Sequence, residues 1–129
     1  MKRTGKLRRP PQNTPRLSGT QVQGISLGQR VCAHYFLPGA DCHWYVLEYS
    51  KDLDLMFGWI EFAGRIGEFG YTSLKELELI VGKVSFSPEG EEAFCLETVV
   101  EYDKHVGSMT LGDCLRRQGQ TRCEMWVIR

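Results

Sequence analysis

Residues 36–62, FLPGADCHWYVLEYSKDLDLMFGWIEF, hold the decision about the fold. Two runs rich in aromatic and β-branched residues, HWYVLEYS (43–50) and DLMFGWIEFA (54–63), flank the short polar turn Ser50-Lys51-Asp52. Ahead of them RVCAHYF (30–36) stops at Pro38-Gly39, a pair suited to a type II turn. Strand propensity and short connections together predict three strands in an antiparallel meander. Alternation places Tyr45, Leu47 and Tyr49 on one face of the second strand and Trp44 and Val46 on the other. A strand with large apolar residues on both faces is expected to be central and at least partly covered on each.

Downstream, AGRIGEFG is a glycine-rich connection with room for one short strand, and YTSLKELELIVG opens a helix. Ser73 with Glu76 three residues on forms a capping box. Leu74, Leu77 and Val81 then share a face, and Gly82 is placed to end the helix. A helix of about nine residues is marginal alone and must pack on the sheet. KVSFSPEG predicts a strand and turn, and AFCLETVVEY (93–102) alternates as a half-buried strand does. Thr110 with Asp113 predicts a second short helix, with Arg116 and Arg117 at its negative pole, and CEMWVIR a last strand. The class expected is α+β: a small antiparallel meander sheet with one or two short helices packed on it.

Residues 1–24, MKRTGKLRRPPQNTPRLSGTQVQG, show no hydrophobic period, contain three prolines and predict a disordered basic tail. Residues 25–129 are expected to form a single domain. The formal charge of zero conceals a division. Residues 1–30 carry seven bases and no acid, whereas 31–103 carry fourteen acids against four bases, a balance of −10. No apolar run is long enough to cross a bilayer, and the basic start has no apolar segment behind it, so neither a membrane partner nor a secretory signal is expected. Five cysteines without a CxxC pair predict reduced thiols and a cytoplasmic setting. A zinc site built on Cys114, Cys123 and a histidine has no familiar spacing.

YFLPGADCHWYVLEY, then FGW, then GEFGYTSLKELE resembles the domain of unknown function 2958 family. The matching positions are Trp44, Tyr45, Glu48, Phe57, Gly58, Gly70, Tyr71, Ser73, Leu74, Glu76, Leu77 and Glu78, within residues 30–88. This chain departs from the family's pattern after the helix. The longer family segment is reduced to VGKVSFSP, where Phe86 and Pro88 match and an aspartate does not, and residues 89–129 have no assigned counterpart. The resemblance implies an accessory product of bacterial plasmids, phages or integrated elements, and implies no activity.

No catalytic, metal-binding or cofactor-binding constellation is expected. Asp41, Cys42 and His43 are consecutive, but neighbours on a strand point to opposite faces, which separates Cys42 from His43. His34 and His105 are alternative bases that no sequence signal brings to the thiol. GxGxxG, GK[ST] and GxSxG are absent. The nucleic-acid contacts expected are Lys2, Arg3, Lys6, Arg8, Arg9 and Arg16 of the arm, through phosphate neutralisation. Glu48, Asp52, Asp54, Trp59, Glu61 and Glu68 are the expected partner surface. Together these describe a small non-enzymatic binding protein acting through protein or nucleic-acid contacts. The alternatives are a metal-dependent enzyme on nucleic acid, with Glu48, Asp52, Asp54 or Glu61 converging, and a subunit whose basic tail threads into a larger assembly.

Overall fold

The computed structural model describes residues 6–17, 26–63, 65–87 and 89–116. Strands β1 (Ala33–Leu37), β2 (Cys42–Ser50), β3 (Leu55–Glu61) and β4 (Glu68–Thr72) follow one another as an antiparallel meander. Helix α1 (Leu74–Leu79) comes next, then strands β5 (Val81–Phe86), β6 (Phe94–Val99) and β7 (Glu101–Tyr102). Strand β7 returns to the far edge, giving the order β4-β3-β2-β1-β7, while β5 and β6 pair only with each other. Residues 111–116 form a second short helix. The α+β class and the meander are those expected.

The central strands are covered on both sides. Tyr35, Leu37, Trp44, Val46 and Met56 meet Leu74 and Leu77 of α1 on one face. On the other, Tyr45 and Leu47 meet Val31, Leu111 and Cys114. One detail of the alternation differs from expectation. The β2–β3 register shifts by one residue between Val46 and Glu48, a β-bulge that leaves Leu47 as the extra residue. Side-chain parity inverts there, so Tyr49 packs with Trp44 and Val46 on the helix face instead of with Tyr45 and Leu47. Period-two counting assumes an unbroken ladder, and a bulge breaks it.

The Ser73 half of the expected capping box forms, with Ser73 Oγ accepting from the Glu76 N–H at 3.0 Å. Asp54 adds to it, its two oxygens accepting from the N–H groups of Leu74 and Lys75 at 3.2 and 3.3 Å. The helix does not reach Gly82. It ends at Ile80, which is already extended at φ −74° and ψ 126°, and Val81 begins β5. Two consecutive β-branched residues favour that switch to strand. Gly82 has another role: a Cβ there would lie 2.7 Å from Leu37 Cδ2, so the missing side chain admits close packing. Thr110 and Asp113 make the second capping pair, each side chain accepting from the other's N–H at 3.2 and 2.9 Å.

Residues 93–102 are not one half-buried strand. The run breaks at Val100, and its first part, β6, stands with β5 as a ribbon on which Phe94 and Leu96 are 46% and 52% exposed. Alternation reports an amphipathic surface, but burial also needs a covering layer, which among the described residues starts at Val100. The strand expected in CEMWVIR lies outside the described residues.

Candidate functional site

Residues 6–17, expected as part of a tail, lie along the helix face of the sheet. Leu7 is only 5% exposed and joins the core of Tyr35, Trp44 and Leu77. Its N–H donates to Glu78 Oε2 at 2.7 Å. The Tyr35 hydroxyl donates to the Arg8 carbonyl, and the Tyr49 N–H donates to the Pro15 carbonyl at 2.9 Å. Composition argued against order because the segment has almost no apolar residues. One leucine in a preformed pocket, with backbone hydrogen bonds on either side, supplies the contacts that composition does not register.

Docking arranges the basic side chains. Arg9 and Arg16 line a concavity of about 460 Å³ with Tyr49 and Lys51. An adjoining concavity of about 210 Å³ shares Arg9, Tyr49 and Lys51 and adds Lys6 and Lys75. Asp54 and Glu78 also line it, but backbone N–H groups already engage both carboxylates. Among the described residues Arg9, Arg16 and Lys51 form no ion pair. Burial pushes the Tyr49 phenol above its usual value even though the Arg9 guanidinium acts in the opposite direction. Tyr49 therefore stays a neutral hydrogen-bonding ring among cations.

Of the six expected nucleic-acid contacts, Lys6, Arg9 and Arg16 meet at this site. Arg8 points elsewhere, its guanidinium 4.9 Å from the centre of the Tyr102 ring. Lys2 and Arg3 lie outside the described residues. Lys51 and Lys75 were missed; the signal was available only as isolated bases in an acidic stretch, and the fold brings them to the arm.

The six residues of the expected partner surface do not form one patch, although Trp59 and Glu61 are in contact. Glu48 is 9% exposed beside the bulge, and Asp54 is occupied at the start of α1. Trp59 donates its Nε1–H to Glu61 at 2.8 Å and packs edge-on against Phe69. Glu68 pairs with Ile60, which packs on the helix-side core, so it lies across the sheet from Trp59, and Asp52 is exposed in the β2–β3 turn. The even spread of acids along the sequence gave no sign of this dispersal. An acid-bound metal would need these groups in one cleft, and among the described residues no group of three or more His, Cys, Asp or Glu side chains is placed to hold a metal ion.

Cys42 and His43 diverge as strand geometry requires. Cys42 Sγ donates to the Ala40 carbonyl at 3.4 Å and packs toward the helix side, while His43 stacks with Tyr45 on the other face. Antiparallel register does bring His34 close to His43: His34 pairs with Tyr45, and Phe36 with His43. The two rings meet nitrogen to nitrogen at 2.9 Å. Burial pushes the Cys32 thiol above its usual value. None of the described cysteines is in a disulfide, and Cys123, needed for the zinc reading, lies outside the described residues.

No protein-family model, curated protein or solved structure matches the chain. Among the described residues no helix is long and apolar enough to cross a membrane.

Proposed function

We propose that the protein is a non-enzymatic binding module that holds the sugar–phosphate backbone of a nucleic acid in the cleft between its N-terminal arm and its sheet. One observation carries this reading: docking of residues 6–17 sets Lys6, Arg9 and Arg16 beside Lys51 and Lys75 around Tyr49. Five cations along adjoining concavities suit a chain of phosphates, whose condensed counterions are released on binding. An aromatic ring among them offers a base a stacking surface. The balance of −10 over residues 31–103 keeps the rest of the surface from binding polyanions indiscriminately. The likeness of residues 30–88 to the family of mobile-element proteins supports an accessory role in a bacterial cytoplasm.

Fluorescence anisotropy with labelled single- and double-stranded DNA and RNA, over a salt series, tests the proposal. Binding is expected to weaken with salt at a log–log slope of about −2 to −4, the range for three to five phosphate contacts. Arg9→Ala with Arg16→Ala should weaken it at least about tenfold and flatten the slope by about 1.5. Salt-independent binding, or none by the wild-type chain, overturns the reading.

A further inference from the structure

At the opposite end of β2, on the face away from the arm, four titratable side chains stand in single file. Asp103 Oδ2 lies 2.8 Å from His34 Nδ1. His34 Nε2 lies 2.9 Å from His43 Nδ1, and His43 Nε2 lies 2.9 Å from Asp41 Oδ1. Each of these three links needs one hydrogen. Two neutral imidazoles between two carboxylates supply only two. If both rings turn their N–H toward a carboxylate, two nitrogen lone pairs confront each other at the centre. If His34 turns its N–H toward His43, its other nitrogen confronts the Asp103 carboxylate. All three links close only when the file holds a third proton, giving one imidazolium shared between the rings and a net charge of −1 on the four groups.

The surroundings favour that proton. The His34 ring lies flat against Tyr45, with centroids 4.5 Å apart and planes 5° apart, and stacks on Phe36 at 5.5 Å. Ring faces of this kind stabilise a cation. Glu61 of β3 is the register partner of His43, and Glu101 of β7 is that of Phe36. From the segment after β7, the His105 N–H donates to Asp103 Oδ1 at 2.7 Å, with Lys104 between them in the chain. In the covering segment, Asp113 is taken up by Thr110 and Arg116, and Arg30 by the Gly107 carbonyl. Glu61 and Glu101, in register with His43 and Phe36, therefore place two further carboxylates beside the file.

We propose that Asp103, His34, His43 and Asp41 form a proton-operated latch that ties the β1–β2 turn to the segment following β7 while the third proton is held. Loss of the proton removes one hydrogen from the file. The Asp41 end yields, because the Asp41 side chain is 80% exposed, against 22% for Asp103 and 10% for His34. The turn it releases supports the β5–β6 ribbon: a Cβ at Gly39 would sit 3.0 Å from Val84 Cγ2. A local proton event is thus connected to the stance of the ribbon.

Nuclear magnetic resonance of the full chain with isotope-labelled histidines, between pH 5 and 9, is the test. His34 and His43 are expected to share one midpoint and together take up one proton. Amide shifts of Gly39, Asp41 and Val84 are expected to follow the shared curve. His43→Phe keeps a ring on Tyr45 and should abolish both the shared step and the amide response. Asp41→Asn, an exposed change that preserves the fold, should move the midpoint to lower pH. Two independent one-proton curves, or amides of the turn that stay fixed through the step, would overturn the proposal.

Discussion

The Leu7 N–H and the Glu78 carboxylate, 71 residues apart in sequence, are joined by a 2.7 Å hydrogen bond that fixes the arm to the last turn of α1. Leu7→Ala removes the buried leucine side chain that anchors the arm in the core. The loss is expected to undock residues 6–17 locally instead of unfolding the domain, so its cost is limited to about 1–2 kcal/mol, below the usual range for a core leucine. Tryptic cleavage after Arg8 and Arg16 should accelerate, and amide exchange at Tyr49, which donates to Pro15, should rise with it.

Asp54 stands at φ +48° and holds two N–H groups of a six-residue helix. Asp54→Ala should cost about 1–2 kcal/mol by chemical denaturation, within the range for lost N-terminal caps. Asp54→Asn keeps an acceptor and tolerates the left-handed backbone, so it should cost about half as much.

Asp103 carries a pH signature of its own. Burial alone would raise its carboxyl, but hydrogen bonds from the His34 ring and the His105 N–H, with the histidine charges, hold it below its ordinary value. The ionised form is therefore favoured in the folded state. Its contribution is complete above the ordinary carboxylate range, near pH 4, and is lost as pH falls through the lower folded value. Asp103→Asn is expected to cost about 1 kcal/mol at pH 7, kept small because solvent reaches the side chain, and less at about pH 2. Denaturation midpoints at both pH values check this.

Two leucines with the same sequence signature should behave differently. Leu77 is fully buried under the sheet, and Leu77→Ala should cost about 2–5 kcal/mol. Leu96, 52% exposed on the ribbon, should cost under about 0.5 kcal/mol on the same change. Equal losses would mean that the ribbon is part of the core.

Gly58 lies where β3 crosses closest to β2, and a Cβ there would overlap the Tyr45 carbonyl. Backbone atoms cannot move aside as a side-chain tip does. Gly58→Ala is expected to destabilise by at least about 3 kcal/mol or to prevent folding, read by circular dichroism and thermal melting.

The meander was legible because Pro38-Gly39 and Ser50-Lys51-Asp52 punctuate runs of strand-forming residues, and α1 was legible because Ser73 and Glu76 mark its start. The arm was not, since its order depends on Leu7 finding a pocket made by residues far along the chain, Tyr35, Trp44 and Leu77. The basic cluster was half legible: Lys6, Arg9 and Arg16 stood out by composition, whereas Lys51 and Lys75 acquire meaning only from the fold. The His34–His43 contact depends on strand register, which a turn fixes to within one residue and alternation alone does not.

The extra residue at Leu47 acts as a phase shifter within a single strand. Upstream of it His43 faces the carboxylate file, and downstream of it Tyr49 faces the opposite side, toward the arm. An unbroken strand would present both rings to the same side, because they are six positions apart. Removing one residue here would leave charge and strand propensity nearly unchanged, yet it would turn both ends of β2 toward the same side. Length, at this one point, carries information that composition does not.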